Sequence, residues 1–150
     1  AAINQSANTN NISALSIIKD MLRPQNLRPT ASNKLTWPTV GARITQYFSW
    51  RHYAIDIANR TGTPIYACDA GVVETAGWGR GYGNQIVIDH GGGRKSRYAH
   101  LSKFYVEKGE AVKKGEAVAA MGSTGRSSGP HSHFEIRDGG KRRNPFAYVK

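Results

Sequence analysis

Period-two alternation is the feature that most restricts this chain. In GPHSHFEI, residues 129–136, His131, His133 and Glu135 share one parity while Phe134 and Ile136 take the other. That is the pattern of a half-buried strand with one apolar and one ionisable face. Strand geometry sets the two imidazoles roughly 6–7 Å apart at their Cα atoms, close enough to serve one metal ion or one substrate. A solvated polar face gives the same pattern, so the pair needs partners elsewhere in the chain.

HYAIDIA, residues 52–58, places His52 and Asp56 four apart with Ile55 and Ile57 on the alternate parity. A helix also aligns positions four apart, but the flanking alternation predicts a strand. His52, Ala54 and Asp56 then face together, and the small Ala54 leaves room for its neighbours to approach a common point.

From Trp37 onward, short apolar runs are punctuated by glycine, as in GVVETAGWG, NQIVIDHGGG and SRYAHLSKF. These are strand and turn signals. IVIDHGGGRKSRYAH reads as two strands with a glycine-rich connection, Ile86 and Ile88 on one face, Val87 on the other, and His100 closing the second strand. GEAV occurs twice at a spacing of six, with Val106, Val112 and Val118 on the same repeat. Two copies are too few for a solenoid and read as adjacent corners of a compact sandwich or barrel.

A chain of 150 residues fills one domain with one core, and the 17 glycines with no long helical period after residue 34 point to strands and turns. The expected fold is an all-β, compact antiparallel sandwich or barrel over residues 34–150. Residues 1–33, rich in Asn, Ser, Thr and Pro, read as a linker. Within it SALSIIKDML predicts a short helix capped by Ser13, with Leu15, Ile18 and Leu22 on one face.

Lys and Arg number 21 against 10 Asp and Glu, a formal charge of +11, and residues 34–150 hold 18 of those cations and 9 of the anions. Such a field suits a polyanion, whether nucleic acid, anionic membrane or an acidic cell-wall polymer, and it also serves plain solubility. Nucleic acid is disfavoured, since neither a recognition helix nor an aromatic RNA-binding signature is legible. The lone Cys68 permits no intrachain disulfide and is expected as a buried core thiol. No apolar run approaches the roughly 18 residues of a membrane span. The chain starts with Ala and lacks a signal pattern, which suggests an excised or processed piece.

Four of the five histidines, His52, His100, His131 and His133, fall at strand ends or on polar strand faces beside glycine or small residues. His90 ends the strand QIVIDH before three glycines and is assigned instead to hydrogen bonding across the hairpin. Two imidazoles with one carboxylate make a zinc set whose fourth tetrahedral position is open, the arrangement of catalytic zinc. A structural site wants four ligands, and Cys68, among apolar neighbours, is a poor fourth. One aspartate leaves the ion a net charge near plus one, able to polarise a carbonyl and to lower the pKa of water to roughly 7. The remaining imidazoles can position or deprotonate that water and stabilise an oxyanion, giving a peptidase without a glutamate base. Glu135, on the parity of both histidines, is assigned a hydrogen bond that orients an imidazole.

HYAID, SRYAH and GPHSHFE together resemble the signatures of lysostaphin-like, or LytM-type, zinc endopeptidases over about residues 35–150. GTPIYACDAGVV, GYGNQIVIDH, VEKGEAVKKGEAV and GSTGRSSGPH resemble the family in the expected order. The resemblance implies zinc held by His52, Asp56 and His133, with His100 and His131 as the catalytic histidines. It implies cleavage of glycyl or D-alanyl bonds in bacterial peptidoglycan, in an extracellular, wall or periplasmic setting, by a monomer in which basic KRR at 141–143 meets anionic wall polymers. Three departures stand out: Ala54 for a usual glycine, Ser96 near a common threonine, and Ser132 for a usual leucine. None removes a ligand. Some relatives of this fold lack the ligands and act as silent modules that activate other wall hydrolases, which is the alternative reading. A further expectation is that an asparagine from residues 1–33 blocks the open zinc position.

Overall fold

The computed structural model describes residues 34–149. The linker of residues 1–33, its helix and its blocking asparagine lie outside the described residues.

Ten strands follow one another: β1 Arg43–Gln46, β2 Ile55–Ala58, β3 Pro64–Tyr66, β4 Gly71–Gly79 and β5 Gly83–Gly91. They continue as β6 Arg94–Phe104, β7 Ala111–Val112, β8 Ala117–Met121, β9 His131–Asp138 and β10 Lys141–Arg143. All belong to one sheet with the path β1-β2-β9-β6-β5-β4-β7, while β10 pairs β9 and β8 bridges β3 to β6. Every pairing between these strands is antiparallel, so the expected all-β antiparallel class stands.

The alternation in the sequence becomes the two faces of this sheet. Ile55 and Ile57 of β2, Ile86 and Ile88 of β5, Tyr98 of β6, and Phe134 and Ile136 of β9 are all wholly buried. Each contributes roughly 1.5–3 kcal/mol by leaving water. Tyr98 and Phe134 are Cα partners across the ladder and their rings lie 5.4 Å apart. The opposite parity carries Asp56, Arg97, His133 and Glu135, so burying the apolar set aims the ionisable set together.

The GEAV copies form matching turns. In the first, the Glu110 N–H donates to Glu107 O and its carboxylate accepts from the Glu107 N–H; in the second, Glu116 does the same with Lys113. Val106, Val112 and Val118, which share the repeat, are buried beside them. Cys68 is a core thiol whose pKa burial pushes up to about 11. His90 is wholly buried, and its Nδ1–H donates to Ala70 O at 2.8 Å. Its Nε2 then accepts from Ser96 Oγ on β6, 2.6 Å away, which is the hydrogen bond across the hairpin that the sequence suggested. Burial holds the His90 pKa below its ordinary value. Ser132 is also wholly buried, and its hydroxyl has no hydrogen-bond partner among the described residues.

Two local expectations need correction. The strand expected over residues 52–58 begins only at Ile55. Ser49 and His52 exchange both backbone hydrogen bonds, at 2.8 and 3.0 Å, so the chain reverses there and His52 leaves a tight turn rather than a ladder. His100 does not close its strand either, because β6 runs on to Phe104. At His100 the strand changes partner, from β9 over Arg94–Ala99 to β8 over Leu101–Phe104. Its backbone takes φ 61°, a left-handed conformation that costs a non-glycine residue free energy and re-aims its side chain.

Candidate metal centre

Asp56 and His133 sit opposite each other in the β2 to β9 ladder, with Ala99 of β6 opposite His133 on its other side. The rings of His52, Tyr82 and His100 stand around the His133 ring, with centroids 5.3, 5.7 and 5.7 Å away. His52 Nε2 reaches to 3.3 Å from Asp56 Oδ1, and His133 Nδ1 to 3.2 Å from the same atom. The other nitrogen of each ring faces an acceptor, Tyr47 O at 3.4 Å for His52 Nδ1 and Glu135 Oε1 at 3.0 Å for His133 Nε2. Those nitrogens carry the hydrogens, so two imidazole lone pairs and a carboxylate oxygen converge. Asp56 Oδ1 is buried and has no hydrogen-bond partner among the described residues. Three electron-rich atoms gathered at one point require positive charge there.

Charge balance agrees. Burial disfavours the Asp56 carboxylate, but the imidazole of His133, with help from His52 and His131, outweighs it and lowers the pKa. Burial also acts against protonated His133, yet Asp56 and Glu135 raise its pKa to about 9. Candidate ligand atoms of His52, Asp56 and His133 all lie within 4.8 Å of one another. A tetrahedral ion with bonds of about 2.0–2.1 Å has edges of roughly 3.3–3.4 Å, close to the two short separations. The donor set of two nitrogens and one carboxylate oxygen fits zinc.

His100 and His131 stand beside this point without joining it. His100 Nδ1–H donates to Thr124 O at 2.7 Å and His131 Nδ1–H to Gly129 O at 2.8 Å. Both Nε2 atoms are therefore left as acceptors. The two rings lie 4.7 Å apart, and His131 Nε2 is 3.7 Å from Asp56 Oδ2. Burial, reinforced by the neighbouring imidazoles, lowers the His100 pKa and keeps it neutral near pH 7, although Thr124 O and Asp56 act the other way. His52, Asp56, His100, His131 and His133 line one groove of about 460 Å³, and Glu135 and His90 lie outside it.

Glu135 has more partners than the sequence indicated. It accepts from His133, from the Tyr82 hydroxyl at 3.0 Å and from Arg97 Nη1 at 3.0 Å, while the Arg97 guanidinium lies over the Tyr82 ring at 4.3 Å. Arg97 is the Cα partner of Glu135, a register that no single segment reveals. Thr124 and Gly129, which orient the catalytic candidates through backbone oxygens, carry no side-chain signal for that role.

A family model described as Peptidase family M23 matches residues 50–145. The chain is 41% identical over 124 residues to the DD-carboxypeptidase/endopeptidase Mpg of Neisseria meningitidis serogroup B, covering 81% of this chain and 28% of that one. It therefore spans little more than a quarter of that relative's length. A zinc containing peptidase from Vibrio cholerae superposes with a TM-score of 0.71 at 32% identity, covering 74% of this chain and 39% of that one. The catalytic domain of the antimicrobial peptidase lysostaphin from Staphylococcus simulans gives 0.61 at 32% identity, covering 75% and 89% of the two chains.

Proposed function

This chain belongs to peptidase family M23, and from that premise we propose that it is a zinc-dependent endopeptidase that cleaves glycyl or D-alanyl bonds in bacterial peptidoglycan. The observation that carries the reading is the orphaned Asp56 Oδ1 with two imidazole lone pairs aimed at it, beside two further imidazoles that take no part in holding it. His52, Asp56 and His133 are the zinc ligands. Zinc bound there supplies Lewis acidity toward a peptide carbonyl and toward water.

The chain's own residues do the rest. His100 and His131, with Nδ1–H fixed on Thr124 O and Gly129 O, present Nε2 lone pairs that take a proton from the attacking water and return one to the leaving amine. Once protonated, either imidazolium stabilises negative charge developing on the carbonyl oxygen. Glu135 holds His133 by Nε2–H and so selects Nδ1 as the ligand atom. The DD-specific name of the Neisseria relative supports bonds between D-residues. An envelope or extracellular setting, action as a monomer, and contact between exposed β10 and anionic wall polymers complete the proposal.

A silent module that activates other wall hydrolases is the competing reading, and the complete donor set speaks against it. Purified sacculi incubated with the chain, with and without a chelator, separate the two: new amine termini that vanish with chelator support the endopeptidase. Intact walls despite bound zinc favour the silent module.

A further inference from the structure

The metal groove is unevenly charged. Arg80, on the turn between β4 and β5, and Arg126, on the loop between β8 and β9, line it together with His52, Asp56 and His133. Among the described residues, Asp56 is the sole acid in that lining and is committed to His52 and His133. Among the described residues neither guanidinium has a side-chain hydrogen bond or ion pair.

The two arginines share one wall. The Arg126 N–H donates to Gly81 O at 2.8 Å, which places residue 126 beside residues 80 and 81. The loops are locked further in: a Cβ on Gly83 would stand 2.5 Å from Thr124 O, and the Asn84 N–H donates to Thr124 Oγ1 at 3.1 Å. The same Thr124 holds His100. The backbones that carry the basic pair are thus held on the His100 side of the groove, while Gln46 and His52 line it from the β1 and β2 end of the sheet.

We infer that Arg80 and Arg126 form a carboxylate subsite that recognises a free carboxyl group carried by the peptide substrate on the His100 side of the scissile bond. A guanidinium offers a planar fork that matches a carboxylate with two parallel hydrogen bonds. A neutral peptide gains nothing from two cations in this groove. An acidic one gains attraction along a cleft whose field is focused by its walls. The inference rests on the endopeptidase reading for the identity of the ligand and adds to it the charge that the ligand must carry.

The test uses a synthetic cross-linked peptide with one free carboxylate beside the cross-link, and the same peptide with that group as a primary amide. Affinity is measured on the metal-free chain, where zinc cannot attract the acid, and kcat/KM is measured on the zinc-loaded chain. The acid binds more tightly than the amide to the unaltered chain, and Arg80→Gln or Arg126→Gln each cut that preference by roughly three- to tenfold. Arg80→Lys and Arg126→Lys restore part of it, because the charge returns without the fork. Equal affinity for acid and amide in the unaltered metal-free chain overturns the subsite, as does a preference that survives both Gln substitutions. Discrimination in binding without any cleavage upholds the subsite and removes the endopeptidase reading instead.

Discussion

Asp56 and His133 are Cα partners in the β2 to β9 ladder, and their pairing sets Asp56 Oδ1 3.2 Å from His133 Nδ1. The contact follows from burying Ile55, Ile57, Phe134 and Ile136 on the other side of the same two strands. A one-residue slip of either strand would turn that strand's own ionisable side chain into the core. The register that stabilises the fold is therefore also the register that assembles the metal centre.

The partners of Glu135 set how firmly His133 is held. Glu135→Gln keeps the shape but can no longer draw a full charge from Arg97 or compel His133 Nε2 to be the donor. Zinc affinity is expected to fall roughly 10–100-fold, measured by competition with a chromogenic chelator. Arg97→Gln should give a smaller loss of the same sign. Unchanged affinity in Glu135→Gln would show that His133 is oriented by its strand alone.

Loop closure near His100 depends on two glycines in contact. Gly83 and Gly125 have φ of 66° and 72°, and a Cβ on Gly125 would lie 2.6 Å from Gly83 Cα and 2.7 Å from Gly81 O. Gly125→Ala should push Thr124 O away from His100 Nδ1 and lower kcat at least about tenfold, at a stability cost of roughly 1–3 kcal/mol. Zinc content should stay near that of the unaltered chain, because Thr124 touches none of the proposed ligands; a loss of zinc as large as the loss of kcat would contradict this account.

His90 makes folding sensitive to acid. Its folded-state pKa is lowered by burial, so below the unfolded value near 6.5 the unfolded chain takes up a proton that the folded chain refuses. Its contribution is constant above that pH and declines as pH falls toward the folded pKa. Urea titrations should therefore find that His90→Gln costs about 1–3 kcal/mol at pH 7.5 and distinctly less at pH 5.5. A penalty that grows with acid would contradict the neutral buried imidazole.

Ser132 lies between the two histidines of β9 with its hydroxyl buried and unpartnered. Ser132→Ala removes that uncompensated polar group and should raise stability by about 1 kcal/mol in thermal or urea unfolding. Destabilisation of that size would mean that the hydroxyl has found a partner.

Much of this molecule was legible in the sequence because period-two alternation is local. GPHSHFEI showed which parity of β9 carries the ionisable side chains, and the GEAV spacing marked two short turns between strands. HYAIDIA was half legible: Asp56 belongs to its strand, but the turn closed by Ser49 and His52 replaced the expected ladder. The alternation there could not report a reversal made by backbone hydrogen bonds. His100 was found by residue type, whereas its left-handed backbone and the partner change of β6 arise from pairing with strands distant in sequence. Tyr82, Arg97, Arg80 and Arg126 entered only once register and loop contacts were known.

Metal content measured beside hydrolysis, in single variants purified alike, separates the residues that hold zinc from those that move the proton. Asp56→Ala and His133→Ala should each lose both zinc and peptidoglycan cleavage, while His131→Ala should retain about one zinc per chain and lose cleavage by at least roughly a hundredfold. Equal loss of zinc in all three variants, or cleavage surviving in a zinc-free Asp56→Ala chain, would contradict the division between the residues that hold the metal and the residues that move the proton.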